Sequence, residues 1–118
     1  MKTIQGIMKL KNRGEKISMV TCYDFTSAKI VNETDVDVVL VGDSTAMVMH
    51  GHDTTIPATI EMMATHVAAV RRGLSKKILV VDMPFLAHRK DRKTVMESVD
   101  ALMKAGANAV KIEGGNGQ

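Results

Sequence analysis

The chain has 118 residues, 45% of them hydrophobic and 25% charged, with a formal net charge of +3. That length fits one domain with a modest core, and a mild charge with no Trp, one Tyr and two Phe argues against a nucleic-acid surface, which needs stacking aromatics beside its basic residues. No apolar stretch approaches the roughly 18 residues that span a bilayer, and Met1-Lys2-Thr3 opens without a secretory leader, so a cytoplasmic protein with no membrane partner is expected.

In chain order, Thr3 caps a first helix carrying Ile4, Ile7 and Met8 at helical spacing, with Gly14 as its stop. Ile17 to Tyr23 reads as a strand, and Asp24 caps a helix with Phe25, Ala28 and Val31 on one side. Val38 to Val41 is the second strand, followed by a long loop from Asp43 through Pro57. Thr59 caps the next helix, with Ile60, Met63, Ala64, Val67 and Val70 as its buried stripe and Gly73 at its end. Ile78 to Val81 is the third strand. Asp91 opens a helix with Val95, Val99, Leu102 and Met103 inward, Gly106 closes it, and Ala109 to Ile112 is the fourth strand. The order is βαβαβαβ behind a leading helix, which fits an open doubly wound sheet or half of a (β/α)8 barrel. No G-x-G-x-x-G follows the first strand, so the dinucleotide-binding form of the open sheet loses support.

Three of these apolar runs lead into an acid: Asp43 after Val38–Gly42, Asp82 after Ile78–Val81, and Glu113 after Ala109–Ile112. Strands of a parallel sheet point one way, so the acids converge on one rim. Carboxylates brought together repel one another unless a cation sits between them. Oxygen donors favour a hard divalent ion, with Mg²⁺ the first choice. Turn formation is the competing role for Asp43 and Ser44. Lys111 stands two residues before Glu113 and shares its strand face; the alternative is a lysine on the outer face with its stem packed under a helix. His50 and His52 are expected to brace their loop by hydrogen bonds, since no H-E-x-x-H or Cys pair accompanies them. His66 is expected to be structural, and Cys22, the only cysteine, to be a small buried hydrophobe that rules out an internal disulfide. The basic run His88 to Lys93 reads as a solvated loop and helix start.

Six blocks carry a resemblance: Thr21-Cys22-Tyr23-Asp24, Val41-Gly42-Asp43-Ser44, Gly51-His52-Asp53-Thr54-Thr55-Ile56-Pro57, Ala69-Val70-Arg71-Arg72-Gly73, Asp82-Met83-Pro84-Phe85, and Ala105 through Gly115. In this order they resemble the ketopantoate (3-methyl-2-oxobutanoate) hydroxymethyltransferases of pantothenate biosynthesis. The resemblance implies a (β/α)8 TIM barrel of the phosphoenolpyruvate/pyruvate type, of which residues 1–118 would be a single domain: the first four β/α units behind an N-terminal helix. It implies transfer of a hydroxymethyl group from the co-substrate 5,10-methylenetetrahydrofolate to 3-methyl-2-oxobutanoate, with Mg²⁺ stabilising an enolate. It also implies Mg²⁺ ligation by Asp43, Asp82 and Glu113, substrate binding by Asp43, Ser44, Asp82 and Lys111, and a homo-oligomer, typically a decamer. The family's general-base glutamate belongs to the second barrel half, so no catalytic base is assigned within this chain. Cys22 stands where the family commonly has alanine. The alternatives are another Mg²⁺-dependent carbon–carbon lyase acting on 2-oxo acids, or an inactive half barrel that self-associates.

Overall fold

The computed structural model describes residues 5, 9, 12–14, 16–84 and 91–112. Its elements are β1 (Met19–Thr21), α1 (Phe25–Asn32), β2 (Val38–Val41), α2 (Thr45–Val48), α3 (Ile60–Gly73), β3 (Ile78–Asp82), α4 (Arg92–Ala105) and β4 (Ala109–Lys111). The four strands form one parallel sheet in the order β1-β2-β3-β4. A doubly wound sheet reverses its strand order at a switch point; these strands advance steadily, as in a barrel wall. Right-handed crossovers then put successive helices on one face, and α1 packs on α3 and α3 on α4. No helix among the described residues is long and apolar enough to cross a membrane.

Side-chain alternation divides the sheet cleanly. Val39, Val41, Leu79 and Val81 join the core beneath the helices with Ala28, Met63, Val67, Val70 and Leu102, and Val20 and Val110 pack against it. The opposite face of each strand, with period two, carries Met19 and Thr21, Val38 and Leu40, Ile78, Val80 and Asp82, and Ala109 and Lys111. This helix-free face is the one a closed barrel turns inward.

The helix starts follow the sequence. Asp24 accepts from the backbone N–H of Ser27 (3.3 Å), Thr59 from that of Met62 (3.1 Å) and Asp91 from that of Thr94 (2.8 Å), each satisfying a donor that the first helical turn leaves open. Gly106 closes α4 at φ 131, a value that favours glycine. Four expectations change. The first strand is shorter than Ile17–Tyr23, and the loop after Asp43 contains the helix α2. Met103 is 41% exposed and Phe25 44% exposed; the apolar seams close around their smaller or better-placed neighbours Leu102 and Ala28, while Lys29 lies over the Phe25 ring. Of the leading helix, Gln5, Lys9 and Asn12 are helical and Gly14 turns the chain at φ 77; Thr3, Ile4, Ile7 and Met8 lie outside the described residues.

Polar contacts fasten the N-terminal end of the sheet. Arg71 on α3 donates to the carbonyls of Gly106 (2.9 Å) and Lys77 (3.2 Å) and to Asn108 Oδ1 (2.7 Å). Asn108 Oδ1 also accepts the backbone N–H of Leu79 (2.8 Å). Lys77 donates to the carbonyls of Thr34 and Val36, tying the turn before β2 to the start of β3. Gly73 is a packing residue. A Cβ there would lie 2.7 Å from Ala28 Cβ and 3.0 Å from the Phe25 carbonyl oxygen, so α1 and α3 touch nearly backbone to backbone. Gly73→Ala is expected to destabilise the chain by about 1–3 kcal/mol, measured by denaturant unfolding.

Candidate functional site

At the other end of the sheet, strand register brings the sequence's site residues together. Asp82 ends β3 and is 8% exposed. Its Oδ2 accepts the backbone N–H of Asp43 (3.1 Å), which stands just beyond β2. Gly42 makes that approach feasible: a Cβ there would lie 3.3 Å from Asp82 Oδ2 and 3.3 Å from Ser44 Oγ. Thr45, fully buried, donates its hydroxyl proton to the Gly42 carbonyl (2.6 Å), so the turn is held from beneath as it enters α2. On the other side Asp82 pairs with Lys111, and the backbone N–H of Met83 donates to the Lys111 carbonyl (2.8 Å). Lys111 therefore belongs to the helix-free face beside Asp82, rather than under a helix.

Ser44 occupies the N-cap position of α2, yet its side chain makes no capping bond. Its Oγ lies 2.8 Å from the hydroxyl of Tyr23, just beyond β1. The Tyr23 carbonyl lies 2.6 Å from His66 Nδ1. A carbonyl can only accept, so Nδ1 carries the proton, and in the neutral ring Nε2 is left to accept. His50 Nε2, 2.9 Å from His66 Nε2, is then the donor. His50 thus ties its loop to α3 through its ring, whereas the backbone N–H of His52 ties the loop back to α2 at the Ala46 carbonyl (3.1 Å). Sequence reasoning passed over Tyr23. Its signal was position, since it follows a strand on the same rim as Asp43 and Asp82.

Asp43, Ser44, Asp82 and Lys111 thus gather at the C-terminal rim, while Glu113 lies outside the described residues. Among the described residues no group of three or more His, Cys, Asp and Glu is placed to hold a metal ion. Two carboxylate residues at adjacent strand ends, with no side chain at Gly42 to crowd them, still form an oxygen-donor set that fits a hard divalent cation.

The sequence profile of the ketopantoate hydroxymethyltransferases matches residues 1–118. The chain belongs to this family. It is 56% identical over 106 residues to the 3-methyl-2-oxobutanoate hydroxymethyltransferase of Coxiella burnetii, covering 90% of this chain and 40% of that one. It is 58% identical over 104 residues to that of Legionella pneumophila, covering 88% and 40%, so the chain spans well under half the length of these curated relatives. Among solved structures, a phosphonopyruvate hydrolase in complex with oxalate and Mg²⁺ superposes with a TM-score of 0.76 at 14% identity, covering 93% of this chain and 38% of that one. A 2,3-dimethylmalate lyase of the PEP mutase/isocitrate lyase superfamily gives 0.72 at 18%, covering 95% and 38%. At such identities the likeness speaks for the fold, a partial β/α barrel.

Cys22, 2% exposed, is the small buried residue expected. Burial pushes its thiol pKa above the ordinary value, and the thiolate is the reactive form. The folded state therefore holds its proton more tightly than the unfolded state, so this thiol's contribution to stability is present at neutral pH and falls as pH rises past the unfolded thiol's value, about 8.5. Native chain should react slowly with a thiol reagent and at full rate once unfolded; equal rates would contradict the burial.

Proposed function

We propose that this family's chain acts in hydroxymethyl transfer from 5,10-methylenetetrahydrofolate to 3-methyl-2-oxobutanoate, giving ketopantoate, and that residues 1–118 supply the metal and 2-oxo acid ligands. The observation that carries the reading is Asp82, a nearly buried carboxylate at a strand end, set between the Asp43 amide and the neighbouring Lys111. In this reading Asp43 and Asp82 hold Mg²⁺ directly and Glu113 holds it directly or through water. The ion, when bound, supplies Lewis-acid stabilisation of negative charge developing on the substrate oxygen.

The chain's own residues do the rest. Ser44 offers a hydroxyl to the substrate carboxylate, and Lys111 stands beside the keto oxygen while Asp43 and Asp82 would meet the substrate through the cation. The ammonium of Lys111 favours charge that grows on that oxygen during proton loss from C3. The Asp43 amide holds the Asp82 carboxylate at the strand end, in place for the cation. The oxalate and Mg²⁺ named with the phosphonopyruvate hydrolase are a small dicarboxylate and a hard cation, which is consistent with such a rim. The lyase alternative has only distant likeness of fold behind it, whereas the transferase reading has family membership. A homo-oligomer belongs to the same proposal: β1 and β4 each pair on one side only among the described residues, and open strand edges invite partners.

Isothermal titration tests it. The chain should bind 3-methyl-2-oxobutanoate only with Mg²⁺ present, and Asp43→Asn or Asp82→Asn should weaken Mg²⁺ by at least about tenfold, as even lesser disturbances of metal ligands do. Oxo acid binding that ignores Mg²⁺, or unchanged Mg²⁺ affinity in both variants, would refute the assignment.

A further inference from the structure

At the rim the Ser44 hydroxyl is paired with a second hydroxyl, that of Tyr23, to which the proposed chemistry gives no role. Tyr23 Oη and Ser44 Oγ are 2.8 Å apart, at the usual distance for O–H···O bonds. Only one proton lies between them, so one hydroxyl donates inward and the other has its proton free. A phenol is a stronger acid than an alkyl alcohol and is the better donor of the two. Ser44 is also uncommitted elsewhere, since it sits at the start of α2 without capping it.

We infer that Tyr23 is a positioning residue for the ligand carboxylate: its phenol donates to Ser44 Oγ and thereby turns the serine's own proton outward to the anion. This rests on the reading of Ser44 as a 2-oxo acid ligand. A hydroxyl that accepts one bond while donating another is polarised toward donation, so the tyrosine strengthens the serine's bond to the carboxylate as well as aiming it. Tyr23 is itself held at its backbone, where the His66 Nδ1–H donates to its carbonyl at 2.6 Å. His66 comes from α3 and Ser44 from the turn after β2, so the tyrosine is fixed from a helix at its main chain and reaches the ligand turn with its ring. His50 Nε2, 2.9 Å from His66 Nε2, holds the other side of the same ring. His66 thus holds the main chain of Tyr23, and the phenol of Tyr23 separately reaches Ser44 at the proposed carboxylate.

The test is a double-mutant cycle on the full chain, titrating 3-methyl-2-oxobutanoate at saturating Mg²⁺. Tyr23→Phe should weaken binding about three- to tenfold, the range for one neutral hydrogen bond, and Ser44→Ala by at least about tenfold, as for a bond to a charged group. Adding Tyr23→Phe to Ser44→Ala should cost nothing more, because the tyrosine acts only through the serine. Mn²⁺ affinity, read by electron paramagnetic resonance, and the melting temperature should stay as in the wild type. His66→Ala should mimic Tyr23→Phe, and His66→Asn, whose amide keeps a donor near the Nδ1 position, should restore affinity. Wild-type affinity in Tyr23→Phe overturns the inference. So does a larger loss in Tyr23→Phe than in Ser44→Ala, which would make the phenol the direct donor, or losses that add and track a lowered melting temperature, which would make the pair a structural staple. A wild-type chain that binds Mn²⁺ but no oxo acid would instead refute the reading of the rim on which the inference stands.

Discussion

The hydrogen bond from the Asp43 amide to the Asp82 carboxylate is the contact on which the rim depends. A nearly buried carboxylate is costly without donors or a cation, and here a backbone N–H from the neighbouring strand end meets it. The bond depends on β2 and β3 keeping their register, and a side chain at residue 42 would crowd it, with a Cβ 3.3 Å from Asp82 Oδ2. A slip of one residue would turn Asp82 under the helices and Val81 into the rim. The parallel register that builds the core therefore also delivers the chemistry.

The two ends of the sheet are built differently. At the N-terminal end a half-buried guanidinium and a buried lysine bind carbonyls, an asparagine oxygen accepts from both Arg71 and Leu79, and together they lock β2, β3 and β4 to their connections. Burial lowers the pKa of Arg71, but a guanidinium starts so high that it stays charged. At the C-terminal end short polar side chains, glycine and carboxylates meet a surface open to ligands. This is the division of labour of β/α barrels, with fastening at one end and the site at the other.

Much of this was legible in the sequence because it rests on local rules. Asp24, Thr59 and Asp91 cap the helices they precede, and strand runs of Val and Ile end at acids because buried parallel strands are apolar until they reach the rim. The shared placement of Asp43, Ser44, Asp82 and Lys111 at the strand ends follows from the same runs. What escaped depends on contacts between distant segments. Nothing near Gly73 announces that Ala28 lies against it, and nothing near Tyr23 says that Ser44 and His66, 21 and 43 residues away, converge on it. Met103 and Phe25 were misplaced because a periodic stripe gives the direction of a helix face and not its width. The helix α2 was hidden because a single turn after a Gly-Asp-Ser sequence is indistinguishable from a loop by pattern alone.

The central claim is that Asp43 and Asp82 share one divalent cation at the end of β2 and β3. Crystals of the chain soaked in Mn²⁺ and measured at the manganese absorption edge test it most directly. The account predicts one strong anomalous peak bonded to carboxylate oxygens of both residues, at roughly the 2.0–2.2 Å of small hard cations. A peak elsewhere on the chain, or none at the rim at saturating Mn²⁺, would contradict it.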